Sequence, residues 1–198
     1  SQDYDLYLYR WEGGEPEEVA ASTNYQRRNS PLERLEYSVT KAGKYTAIVR
    51  KASNARPKVL KVWSLNHDFE RNSSLVGSIG VPADSRGAFA VGAISHRDWG
   101  RNRIATYSSH GPTVDGRIKP DISAPAGVST ASYGTSGFHG TSAAAPHVAG
   151  VAALIKSANP SYNRIQIIDA LEDAAIDIGA RGQDNVFGHG KLAAPYLQ

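Results

Sequence analysis

Residues 137–150 read GFHGTSAAAPHVAG. One serine, Ser142, stands among glycines and alanines, with His139 before it and His147 after it. The run stays alanine-rich to Ser157, which predicts a long helix over Thr141–Ser157, apolar on nearly all sides and so covered by other layers. Thr141 is a good N-cap, and Gly140 permits a tight approach to the helix. Ser142 then takes the first helical position, where backbone N–H groups have no intrahelical partner. Those donors and the positive end of the helix dipole favour an oxyanion forming beside the serine hydroxyl. Ala143, Ala144 and Ala145 leave that hydroxyl unwalled. Pro146 has no N–H for the carbonyl of Ser142, four residues back, and a proline this far into a helix costs about 3 kcal/mol.

Around this helix the pattern is that of alternating strands and helices. Phe89–Ile94 (FAVGAI) is a continuous small-apolar run, the mark of a strand buried on both faces. Ile104–Ser108 and Asp121–Ala124 are short strand candidates. A second helix is expected near Asn163, where Asn163 and Gln166 have capping-box spacing and Ile165, Ile168 and Leu171 share one face. Such alternation indicates an α/β layer architecture. Two or three strands are too few to be covered on both faces, so this half reads as incomplete.

Residues 1–66 have a different grammar. Tyr4, Leu6 and Leu8 alternate with polar or aromatic neighbours up to the turn-rich EGGEP, and similar runs occupy Leu35–Val39, Tyr45–Arg50 and Val59–Leu65. Short strands separated by Gly, Pro and Asn indicate a small antiparallel sandwich. Six of the ten tyrosines fall in this part, as expected of sheet residues rather than of a ligand face. The division is therefore 1–66 and 67–198.

Composition excludes several classes. The 22 Lys+Arg and 19 Asp+Glu give a net charge of +3 with neither sign clustered, so there is no basic stripe for nucleic acid. There is no cysteine, hence no disulfide or thiol chemistry. No apolar run approaches the roughly 18 residues of a membrane span, and no membrane partner is expected. The opening SQDYDLYLYR reads as the middle of a strand, which suggests a piece of something longer.

The segment GTSAAAPHVAG (140–150) resembles the nucleophile motif of the subtilisin-like serine proteases, the subtilases, usually written GTSxAxPHVAG. FAVGAI resembles the family strand before the active-site region. YSSHGPTVDGRIKPDISAP resembles its FSSxGP…KPDxxAPG segment, and GQDNVFGHGKL its closing GxG turn. The resemblance covers about residues 75–198 in the family's order. It implies the C-terminal part of a subtilisin-like three-layer α/β catalytic domain, with Ser142 as nucleophile and Gly140, Thr141 and Pro146 shaping its turn. Ala126 precedes Gly127 where the family has glycine directly after AP, which puts the shape of that loop in doubt.

A serine hydroxyl needs a positioned base. His147 lies five residues on, a rotation of about 140° along a helix, so it points away from Ser142 and is expected to hydrogen-bond within the packed layer. His139 reads as a surface or substrate-side residue, no role is attached to His110, and His67, His96 and His189 have no supporting context. In subtilases the chain order is Asp, His, Ser. The resemblance therefore implies that an aspartate, a histidine and an oxyanion-hole asparagine precede this serine. No matching motif occurs before Ser142, and Asp121 matches the family's structural KPD. The chain is thus expected to carry one triad member of three and to be inactive alone.

DYDLYLYR, Pro31–Tyr37 (PLERLEY) and GKYTAIV resemble the β-sandwich insertion that some secreted subtilases carry before the serine region. The expected fold is mixed: a partial antiparallel β-sandwich followed by the C-terminal part of the α/β domain. The implied partners are a protein or peptide substrate and the N-terminal half of the same protease, and the implied location is secreted or cell-surface. No cofactor is expected. Calcium is common in the family, but no loop offers enough spaced oxygen ligands to nominate a site. The alternative is a non-enzymatic unit, a sandwich that binds protein or polymer on a degenerate protease scaffold.

Overall fold

The computed structural model describes residues 3–25, 32–52, 55–65, 67, 69–70 and 73–194. They form two compact units, Ser1–Asp68 and Phe69–Gln198.

In the first unit the alternating runs make a three-stranded antiparallel sheet of β1 (Tyr4–Glu12), β2 (Glu15–Ser22) and β3 (Lys44–Lys51), ordered β2-β1-β3. Glu12 pairs with Glu15 across Gly13 and Gly14, whose φ values of +61° and +93° suit a two-residue hairpin loop. Tyr7, Tyr9 and Trp11 share one face by the strand's period of two. Their rings are engaged by neighbours: Arg50 lies 4.5 Å over Tyr7 and Lys44 5.6 Å over Trp11. Trp11 also donates from Nε1 to Thr46 Oγ1 at 2.8 Å.

The expected second sheet does not form among the described residues. Leu35–Val39 and Val59–Leu65 lie outside any strand. Val59 and Leu65 are 90% and 89% exposed, so the alternation meets no surface on which an apolar face could be buried. Pro31, part of the insert-like run, lies outside the described residues.

The second unit is built on β4 (Val91–Ser95) and β5 (Ile122–Ala126), paired in parallel with Ala93 opposite Ala124. A short 3₁₀ helix, His96–Arg101, follows β4. An antiparallel pair, β6 (Val128–Thr130) and β7 (Gly134–Phe138), leads into α1 (Thr141–Ala158), and α2 (Arg164–Asp173) follows. The continuous apolar run of β4 has its expected consequence. Ala93 packs with Ala143, Ala144, Val148, Ile155 and Leu171 on the helix side. The adjacent Ile94 packs with Ile178 and Phe187 in a separate cluster.

Ile104–Ser108 is not a strand: Ile104 makes one isolated antiparallel bridge to Ile94 before the chain turns. Asn163 caps α2 as its spacing predicts, accepting from Ile165 N and Gln166 N at 2.9 and 3.1 Å while Gln166 Oε1 accepts from Asn163 N. The buried face of α2 is set by Ile167, Ala170 and Leu171, with Ile165 exposed instead of sharing it. Nor is α1 covered all round. Ala145, Ala149, Gly150, Ala153 and Leu154 are exposed, because the described elements pack against only one of its faces.

Candidate active site

Ser142 is exposed in the first turn of α1, directly before the buried pair Ala143 and Ala144. The N-cap is Gly140, not Thr141, which becomes the first helical residue and places Ser142 second. No side chain caps this helix. The reason is the backbone of Gly140, whose φ of 92° and ψ of 165° belong to a region essentially reserved for glycine. The chain thus enters the helix by a sharp glycine turn, and Ala143 N–H donates to Gly140 O at 3.0 Å. With no acidic residue in the first turn, the positive helix end is not neutralised locally.

Pro146 lies inside the helix and leaves the Ser142 carbonyl without its usual amide donor. His147 is turned from Ser142: its Nδ1 donates to Ala143 O at 2.8 Å. Among the described residues, no side chain hydrogen-bonds Ser142 Oγ. Gly140, Thr141, Ser142 and Pro146 therefore share one helix start, and no described histidine is joined to the serine hydroxyl.

The segments before the helix are pinned by buried polar contacts. Asp121, ahead of β5, accepts from Lys119 Nζ at 2.5 Å and from Ala90 N at 2.5 Å. Ser108 Oγ accepts from Ala93 N at 3.0 Å, fixing the turn after Ile104 against β4. Gly92 leaves room beside it, since a Cβ there would lie 3.4 Å from Ser108 Oγ and 2.7 Å from Ser123 Oγ.

One cluster escaped the sequence reading. His96 and His139 flank Gly127 in a shallow cleft of about 380 Å³ also lined by Arg97, Ser129 and Thr135. The substitution of Ala126 ahead of Gly127 leaves the positive φ on the glycine, at 72°. No local spacing reveals the pair, because one histidine follows β4 and the other follows β7.

The sequence model of the subtilase family, peptidase S8, matches residues 18–190. The chain belongs to the subtilase family. Among curated proteins, this subtilase is 40% identical over 122 residues to alkaline elastase YaB of Bacillus sp. (strain YaB), covering 62% of this chain and 30% of that protein. It is 37% identical over 122 residues to subtilisin Savinase of Lederbergia lenta, covering 62% and 42%. The matched stretch thus spans less than half the length of these relatives. The CspB protease of Clostridium perfringens superposes with a TM-score of 0.59 at 20% identity, covering 96% of this chain and 48% of that one, a likeness of fold.

Among the described residues no three or more His, Asp or Glu side chains are grouped so that they could hold a metal ion. Nor is any helix of the described residues long and apolar enough to cross a membrane.

Proposed function

We propose that this chain is the nucleophile-bearing part of a subtilisin-type serine endopeptidase, secreted or cell-surface, that hydrolyses protein or peptide substrates. The observation that carries the reading is an exposed serine in the first turn of a helix entered through a glycine-only backbone, with small buried neighbours beneath it. Membership of the subtilase family supports the same reaction.

In this mechanism Ser142 Oγ attacks the scissile carbonyl carbon, and a histidine takes the hydroxyl proton. The histidine returns that proton to the leaving amine as the C–N bond breaks, leaving an acyl group on Ser142. Water then repeats the cycle, releasing the acid and restoring the hydroxyl. The Ser142 backbone N–H, unpaired within the helix, contributes to stabilising the oxyanion. On this reading the histidine, the aspartate and an oxyanion-hole asparagine are supplied by the part of the protease that the chain does not match in its relatives. His147 is committed to Ala143 O and does not serve as base.

The isolated chain is accordingly inactive, and the N-terminal half of the protease is its partner. In subtilisin, loss of the triad histidine costs about 10⁶-fold in turnover. A fluorophosphonate probe is expected to label the whole protease at Ser142 and leave the isolated chain unlabelled. Failure to label Ser142 in the whole protease overturns the assignment, and strong labelling of the isolated chain overturns its inactivity.

A further inference from the structure

The cleft beside Gly127 gathers hydrogen-bond donors and no acid. Arg97, His96, His139, Ser129 and Thr135 line it, and no aspartate or glutamate does. Arg97 is exposed, and among the described residues its guanidinium has no ion pair and no hydrogen bond. The acid next to it in the chain, Asp98, is turned to Arg101 at 3.4 Å. His96 and His139 are exposed too, and their rings have no partner among the described residues. The backbone holds these groups in place. Gly127 N–H donates to Phe138 O at 2.8 Å, which sets His139, the next residue, beside Gly127. Ser95 Oγ accepts from Arg97 N at 3.3 Å and fixes the start of the 3₁₀ helix that carries His96 and Arg97.

A guanidinium, imidazole N–H groups and hydroxyls are all donors that a carboxylate accepts, and an imidazole donates in its neutral and protonated forms alike. Arg97 keeps its charge at any working pH, with no acid in the cleft to offset it. A volume of about 380 Å³ admits a carboxylate together with water. His139 stands three residues before Ser142, so the cleft begins at most about 11 Å from the serine along the chain. An extended peptide advances about 3.3 Å per residue, which brings side chains within about three residues of the scissile bond into range. Resting on the reading of Ser142 as nucleophile, we propose that the Gly127 cleft is a subsite for a substrate carboxylate, with Arg97 as its specificity-determining cation.

The test assays the whole protease on amidated peptides that differ only by Glu or Gln at one of three positions on either side of the cleaved bond. At one position Glu is expected to raise kcat/KM about fivefold or more over Gln. Arg97→Gln brings that ratio close to one, and Arg97→Glu turns the preference toward Lys, a gain that misfolding does not produce. Arg103→Gln, the same loss of charge on an exposed arginine outside the cleft, leaves the ratio unchanged. A second peptide set, with Gln throughout and a free C-terminus within three residues of the cleaved bond, separates a terminal carboxylate from a side-chain one. An Arg97-dependent preference in either set supports the subsite. Cleavage with no acidic preference above twofold, or a preference that survives Arg97→Gln, overturns the subsite and leaves Ser142 as nucleophile. No cleavage of any peptide, with no probe labelling of Ser142, overturns the nucleophile reading and the subsite with it.

Discussion

Lys119 and Asp121 form an ion pair at 2.5 Å, with only 7% and 15% of their side chains exposed. Lys119 Nζ also donates to Ala88 O at 2.8 Å, and Asp121 accepts the Ala90 amide, so both charges tie the approach to β4 to the approach to β5. The alternate spacing of the two residues places both on one side of the strand start, facing the segment before β4. Removing one partner strands the other charge. Lys119→Met is expected to destabilise the protein by about 3–5 kcal/mol, read by urea unfolding.

Gly140 sits where a side chain is strained regardless of space. Gly140→Ala is expected to cost about 1–3 kcal/mol and to disturb the entry to α1. Probe labelling of Ser142 in the whole protease should fall with it. Full labelling with unchanged stability would show that the turn does not govern the serine.

Ser142→Ala should abolish peptidase activity of the whole protease while leaving stability within about 0.5 kcal/mol, because the side chain is exposed and without a described partner. Circular dichroism and thermal unfolding check the second half of this expectation. A large stability loss would mark Ser142 as structural.

Gly190 holds the C-terminal turn against Ile176, which forms an isolated antiparallel bridge with Lys191. A Cβ on it would lie 2.1 Å from Ile176 O, in a backbone with φ at 119°. Gly190→Ala is expected to cost on the order of 3 kcal/mol or more, since a backbone oxygen cannot step aside as a flexible side chain does. Gly116→Ala serves as the comparison: its φ is also positive, but nothing lies within 4 Å.

His110 responds to acid. Its Nε2 is buried without a partner among the described residues, and burial pushes the imidazole below its ordinary value, opposed by the charge of Asp184. The folded state therefore prefers the neutral ring. The stability this preserves is fully present above the unfolded value near pH 6.5 and is lost as pH falls through and below it. Unfolding free energy is expected to decline from about pH 7 toward pH 5, and His110→Gln to flatten that decline. An unchanged slope in the variant would remove His110 as its source.

The sequence alone determined the family, the ordering of its segments, β4 and β5, the extent of α1 and the capping box of Asn163. These are signals carried by contiguous residues: an apolar run, a helical period, a cap and its partner three positions later. Leu35–Val39 and Val59–Leu65 form no second sheet among the described residues, because alternation records a preference for a half-buried face without supplying the face. Thr141 has the propensity of an N-cap but becomes the first helical residue, because Gly140 adopts a backbone conformation open to glycine alone. Only the tertiary structure decided which face of α1 is buried, and that His96 meets His139 over Gly127. Those outcomes depend on where separate elements stop and turn, and no residue's neighbours along the chain encode that.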